Sequence, residues 1–155
     1  MQIDIKKAAA RISGQVLQTP LFYSKYLSAL NKGQVYLKLE NEQYTGSFKA
    51  RGGLNKILGL SSSEKAKGLI TASTGNHAQG FARALEIANA EGTIFLPTNA
   101  EASKVEALKA YKVGLQFHGA DALTTELHAM KFAEASGQIW ISPYNDPEVI
   151  AGQGT

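Results

Sequence analysis

The sequence contains no cysteine, which excludes disulfides, thiolate metal sites and a cysteine nucleophile and is compatible with a reducing compartment. It has no apolar run near the ~20 residues that span a bilayer, and its N-terminus lacks the apolar stretch of a signal peptide. The cytoplasm is therefore the expected location. The net charge is +3, yet Lys and Arg are scattered and no basic run forms a nucleic-acid footprint, so the charge reads as solvation. The histidines, His77, His118 and His128, are far apart and lack metal-ligand spacing, and no metal is expected. There is no G-x-G-x-x-G after a strand, no G-x-x-x-x-G-K-[ST] and no G-x-S-x-G, which removes the phosphate cradles of dinucleotide and P-loop sites and the hydrolase elbow.

What is present is the composition of one globular domain: 155 residues, 44% hydrophobic and 19% charged, enough to build a real core. A helix is expected after Asp4, with Ile5, Ala8, Ala9 and Ile12 on one face until Gly14, and Thr19-Pro20 breaks the chain. A second helix from Ser24 carries Tyr26, Leu27 and Leu30 and stops at Asn31 to Gly33. Val35 to Leu39 reads as a strand, Glu40 to Gly46 as loop, and a helix follows with Leu54, Ile57 and Leu58 as its core face, ending near Ser61 to Ser63. From Gly68 onward, short apolar runs at Leu69 to Ala72, Thr93 to Leu96, Leu115 to Phe117 and Gln138 to Ile141 alternate with helical stretches. The helical faces are Ala78, Phe81, Ala82 and Leu85, then Val105 and Leu108, then Leu123, Leu127 and Met130. Repeated strand-helix-strand predicts an α/β fold, a small open parallel sheet with helices on both faces.

Two stretches carry chemistry. In Gly46-Ser47-Phe48-Lys49-Ala50-Arg51-Gly52-Gly53, Ser47 is a natural N-cap and Lys49 falls in the first helical turn. There the helix end, the like charge of Arg51 and a dry pocket would each lower its pKa towards a neutral, nucleophilic amine. The same octapeptide also fits a solvated lysine on a helix end. Ser73-Thr74-Gly75-Asn76-His77-Ala78-Gln79-Gly80 lies at the carboxyl end of a strand and opens a helix, where open α/β sheets bind ligands. Its free N–H groups and the Ser73 and Thr74 hydroxyls suit an anion such as a substrate carboxylate. It also fits a Ser/Thr cap with a polar first turn. Spacing alone gives His77 no catalytic role.

These motifs, with Thr19-Pro20-Leu21, Tyr36 to Asn41 and Ser142-Pro143-Tyr144-Asn145-Asp146-Pro147 leading into Ile150 to Thr155, resemble the serine/threonine dehydratase family. That family includes serine racemases and belongs to the pyridoxal-phosphate enzymes of the tryptophan-synthase-β fold, fold type II. The resemblance runs over nearly the whole chain. It implies that Lys49 holds pyridoxal 5'-phosphate as a Schiff base, that Phe48 packs beside the ring and that Asn76 bonds the ring hydroxyl. Ser73, Thr74, Gly75, Asn76, His77 and Gln79 then form the site for the substrate carboxylate. The implied reaction is α,β-elimination on L-threonine or L-serine to a 2-oxo acid and ammonia, with the freed Lys49 amine taking the α-proton. The implied domains are 1–67, the N-terminal part of a larger α/β domain carrying the lysine; 68–146, a smaller, mobile parallel α/β domain; and 147–155, the start of the return to the larger one. The resemblance also implies a small-molecule amino-acid substrate and a homo-oligomer when full length.

Departures from the family pattern qualify this. Thr74 stands where racemases of the family carry an opposite-face serine and many dehydratases an alanine, which leaves racemisation or β-replacement as an alternative. Lys112 stands where relatives have a helix-ending glycine and is expected to cost roughly 1 kcal/mol if left-handed, whereas Asn89 at a similar place tolerates that conformation. Relatives continue past Gly152 to Thr155 into the glycine-rich loop for the cofactor phosphate and the group that meets the pyridine nitrogen. The chain is accordingly expected to be a fragment, inactive alone, with an inactive binding module as a further alternative.

Overall fold

The structure, a computed structural model, describes residues 3–155. The chain runs α1 (Ile5–Ile12), β1 (Leu21–Tyr23), α2 (Lys25–Asn31), β2 (Tyr36–Lys38), a 3-10 turn at Glu40–Glu42, α3 (Lys49–Gly59) and α4 (Ser62–Lys65). It continues through β3 (Leu69–Ala72), α5 (Asn76–Ala88), β4 (Gly92–Leu96), α6 (Ala102–Lys109), β5 (Gly114–Phe117), α7 (Ala122–Ser136), β6 (Ile139–Trp140) and α8 (Pro147–Gln153).

Strands β3 to β6 form the expected parallel sheet, in the order β5-β4-β3-β6, with Leu69 opposite both Gly92 and Ile139 and Thr93 opposite Gly114. Alternation along the strands sends side chains to two separate cores. Leu69, Ile94, Leu96 and Ile141 pack with Phe81, Ala82 and Leu85 of α5, Leu108 of α6 and Leu54 and Ile57 of α3. Ile70, Ala72 and Phe95 point the other way, onto Ala129 and Ala133 of α7. The central strand β3 and the second half of β4 are buried on both faces, whereas the edge strand β5 leaves Gln116 and Phe117 exposed.

That second core corrects the expected face of α7. Leu123, Leu127 and Met130 are exposed, and the inward row is Thr125, Ala129 and Ala133. Small residues let the helix lie close over the bulky Phe95, and the Thr125 hydroxyl donates to the carbonyls of His118 and Asp121, so a polar side chain takes a buried place. Ile5 and Ala9 of α1 and Tyr26 and Leu30 of α2 are likewise exposed. Helix α8 and the 3-10 turn at Glu40–Glu42 were not foreseen, and neither were two further elements. Strand β1 pairs antiparallel with β2, Phe22 opposite Leu37, and α4 is a single turn held by a reciprocal cap between Ser61 and Glu64. Lys112 does not adopt the left-handed conformation. Among the described residues the non-glycine positions that do are Lys32 and Asn89, at φ 51° and 46°, each closing a helix.

Helix α3 lies between α5 and α8, and glycines make both crossings. Gly53 faces the backbone of Gly80 of α5, and Gly152 of α8 lies against Gly52 and the Arg51 carbonyl, with the Gln153 side chain and the Asn55 Cβ filling the space beside them. Polar groups reinforce the second crossing: Arg11 of α1 donates to the Asn55 side chain and to Glu148, and Lys56 pairs with Asp146, the cap of α8.

Candidate active site

Helix α3 begins at Lys49 because the preceding loop is tied from several sides. The Ser47 hydroxyl accepts the Lys49 N–H at 3.2 Å, which is the capping role expected of it, although Phe48 already has helical backbone angles. Glu40 accepts two hydrogen bonds from Arg51, at 2.8 Å from Nε and 2.7 Å from Nη2, and a third from the Thr19 hydroxyl. The Arg51 hydrogen bonds outweigh burial and hold the Glu40 carboxyl below its usual range. Arg51 also donates to the carbonyl of Leu17. The buried Gln43 side chain bonds both the N–H and the C=O of that same residue.

This network changes the electrostatic argument for Lys49. Arg51 is committed to Glu40, so it does not act on the lysine, and the Lys49 pKa is lowered by burial alone. The amine lies in a cavity of about 330 Å³ and donates to the carbonyl of Pro143 at 2.8 Å. The Phe48 ring centre is 5.2 Å from it, though Phe48 itself does not line the cavity.

The opposite wall is the start of α5. Ser73, Thr74, Asn76 and His77 line the same cavity as Lys49, whereas Gly75 and Gln79 do not. Gly75 caps the helix without a side-chain bond, and its own N–H is taken by the Ser73 hydroxyl at 3.2 Å. The first N–H groups of α5 therefore have no intrahelical acceptor and carry the positive end of a 13-residue helix. His77 is 3% exposed. Its Nε2 lies 3.0 Å from the Thr71 hydroxyl, whose proton goes to the carbonyl of Ile141 at 2.8 Å. Nε2 must then carry the ring proton, and Nδ1 is left without a partner. Burial first, and the Lys49 charge second, push His77 down to about 4, so it is a neutral wall residue and not a cation for an anionic ligand.

The remaining wall was given no role from the sequence, although Pro143 and Tyr144 stood in one of its motifs: Phe95 of β4 and Pro97 after it, Ala122, Thr125 and Glu126 of α7, and Pro143 and Tyr144 after β6. The Tyr144 hydroxyl donates to Glu126 at 2.6 Å, chiefly for which its own pKa is raised. The chain order β3, β4, β5 runs outward on one side of β3 and returns on the other as β6, so the crevice between the β3 and β6 ends is a topological switch point. The rule that ligands bind there was the available signal for Pro143 and Tyr144; nothing in the sequence pointed to Glu126. A wider hollow of about 690 Å³ opens at the amino ends of the strands, lined by Glu86, Glu91 and the carboxyl end of α5. Lys112 shares that lining with the two carboxylates, and the hollow lies at the other end of the strands from Lys49.

The chain matches the family described as pyridoxal-phosphate dependent enzyme over residues 12–155. It is 46% identical over 153 residues to the catabolic L-threonine dehydratase TdcB of Staphylococcus aureus strain N315, an alignment covering 98% of this chain and 44% of that protein. Among solved structures it is similar to serine racemase from Dictyostelium discoideum, with a TM-score of 0.87 and 33% identity over 97% of this chain and 49% of that one. It is also similar to a pyridoxal 5'-phosphate-dependent aspartate racemase, with a TM-score of 0.86 and 37% identity over 97% and 47%. The chain thus spans about half the length of the relatives it matches.

Proposed function

Because the chain belongs to the pyridoxal-phosphate dependent enzyme family, we propose that the protein is a threonine/serine ammonia-lyase, converting L-threonine to 2-oxobutanoate and ammonia. The observation that carries this reading is Lys49: an amine of lowered pKa, in a cavity at the switch point of a parallel sheet, facing the open N-terminus of α5. The residues present fit the cofactor at its reactive end. A lysine whose one polar partner is a carbonyl is free to exchange that contact. The helix end opposite has unsatisfied donors, and a cavity of about 330 Å³ falls within the ~300–1,000 Å³ usual for small-molecule sites.

When bound, pyridoxal phosphate supplies an electron sink for the α-carbon of an amino acid. Lys49 would hold it through Nζ, Asn76 would bond its ring hydroxyl, and Phe48 would lie beside the ring. Ser73, Thr74 and the backbone N–H groups that open α5 would take the substrate carboxylate, because a helix N-terminus favours an anion. The Lys49 Nζ would also serve as the base for the α-proton, and its lowered pKa favours the unprotonated amine closer to neutral pH. Phe95 and Pro97 exclude water from one side of the cavity. On this reading residues 1–67 and 147–155 belong to a larger domain and 68–146 to a smaller one that closes over the site. The protein works in the cytoplasm, as a homo-oligomer when full length.

Thr74 supports a second reading. It lines the same cavity as Lys49 and stands where the resemblance sets the opposite-face base of racemases, but its β-branch restricts χ1, and elimination is expected to outrun racemisation. The test uses the longest form that the reading frame encodes, loaded with pyridoxal phosphate. Borohydride should fix the cofactor on Lys49, and Lys49→Ala should abolish both the fixation and 2-oxobutanoate formation from L-threonine. A label on another lysine, or D-serine formed faster than pyruvate from L-serine, overturns the assignment.

A further inference from the structure

The charges around the cavity are few and unevenly placed. Of its lining side chains only Lys49 and Glu126 carry a formal charge, since His77 is neutral. Under the proposed function the Lys49 amine is taken by the cofactor, and Glu126 is then the one charged side chain left in the lining. It is anchored where it stands: α7 carries it to the mouth, and the Tyr144 hydroxyl, on the turn after β6, donates to Oε1 at 2.6 Å across the crevice. The cavity therefore has a polarity. The α5 N-terminus suits one part of the lining to an anion, and Glu126 on α7 makes another part hostile to a second.

An amino-acid substrate brings one carboxylate in any case, and the α5 end takes it. A side-chain carboxylate would have to share the remaining space with Glu126. The fold does not decide this point, because solved structures similar to this chain include both a serine racemase and an aspartate racemase. We propose that Glu126, held by Tyr144, is the specificity-determining residue that rejects amino acids with an anionic side chain and restricts the site to neutral ones such as serine and threonine. The proposal rests on the ammonia-lyase reading for its substrate class, and on the carboxylate in the lining for its discrimination. Two unit charges ~8 Å apart at an effective dielectric near 20 disfavour one another by about 30-fold, and solvent at the mouth reduces this to about tenfold.

Two measurements test it. In the cofactor-loaded protein, in the longest form encoded, dissociation constants for L-serine and L-aspartate are read from the change in cofactor absorbance. Glu126→Gln keeps an acceptor for Tyr144 and removes only the charge. It should tighten aspartate about tenfold and leave serine within about threefold. Tyr144→Phe, which frees the carboxylate to swing into solvent, should move the ratio the same way by a smaller factor. In the cofactor-free chain, reductive alkylation of Lys49 is compared for glyoxylate and for the neutral glycolaldehyde, and Glu126→Gln should raise the glyoxylate preference about tenfold. If serine binds but the serine-to-aspartate ratio is unmoved, the proposal is overturned while the ammonia-lyase reading stands. If neither amino acid binds, that reading falls and takes the proposal with it, and a change in the glyoxylate preference then reports only the field at Lys49. An unmoved glyoxylate preference alone also overturns it, because the charge does not reach the amine.

Discussion

A methyl group at Gly80 would strike the backbone of Lys49 itself. A Cβ built there lies 2.8 Å from the Lys49 carbonyl oxygen, 3.0 Å from its carbonyl carbon and 3.1 Å from the Ala50 nitrogen. Ordinary contacts of this kind open at ~3.5 Å, so Gly80→Ala asks α3 and α5 to separate by roughly 0.5 Å. Helix α3 has no room to retreat, because on its other side a Cβ at Gly152 would be 2.6 Å from the Arg51 carbonyl oxygen. Overpacking of this sort costs about 1–3 kcal/mol, and the better helix propensity of alanine returns up to about 1. The net loss expected is ~1–2 kcal/mol, read as a lower urea midpoint at unchanged slope. The functional effect follows from displacement of the lysine: with ~1 Å of misplacement worth about 100-fold in rate, half of that is worth about tenfold. It is read as the rate of borohydride-trapped pyridoxal phosphate labelling at residue 49. Gly53→Ala is the graded comparison, since its Cβ would crowd the Gly80 backbone only mildly, at 3.3 Å, and should cost less on both measures. A Gly80→Ala protein as stable as the parent, with Lys49 labelled at the parental rate, would refute the idea that this backbone contact places the lysine.

Two further outcomes are expected. His77, at about 4 in the folded chain against ~6.5 unfolded, is protonated first in the unfolded state as pH falls. Its contribution is intact above pH 6.5, is lost progressively down to about pH 4, and amounts to about 3 kcal/mol over that window. The difference between parent and His77→Asn in urea unfolding should show this slope, and a difference that stays flat from pH 7 to 4 contradicts it. Glu40→Gln leaves the Arg51 guanidinium, 8% exposed, buried without a counter-charge and should cost about 3–5 kcal/mol, with slower labelling of Lys49 as its loop loosens; a loss under ~1 kcal/mol in urea unfolding would show that the pair is not what orders Glu40 to Ser47.

The sheet and the helices around it were legible because each depends on a local pattern. A strand buried on both sides is largely apolar, as Leu69 to Ala72 is apart from Thr71, and a helix on one face shows its stripe, as Ala78, Phe81, Ala82 and Leu85 do. The pattern failed at α7, where Leu123, Leu127 and Met130 form the better stripe and the smaller Thr125, Ala129 and Ala133 take the core. What decided the matter was the bulk of Phe95 and Ile70 beneath, which periodicity along one helix does not contain. Strand β1 escaped because it is three residues long and exposed throughout, and its register comes from pairing with β2 and not from burial. At the site, Lys49 and the turn from Ser73 to His77 were visible through cap chemistry and strand ends, and they do meet around one cavity. Phe48, Gly75 and Gln79 stand next to that cavity and do not line it. Glu126 and Tyr144 are 18 residues apart, and only the fold brings them together.

The two walls of the cavity differ in how they answer to change over generations. On one side the lysine helix is wedged by bare backbone at Gly52, Gly53, Gly80 and Gly152, and almost every single replacement there is larger than the space. On the other, α7 meets the turn after β6 across the mouth through the tip of one tyrosine and one glutamate, and either can be exchanged without moving a helix. On the proposed reading drift is thereby channelled: descendants of this sequence would acquire a new taste in side chains through a few codons in α7 and the Ser142–Asn145 turn, while the Lys49 amine stays where it is.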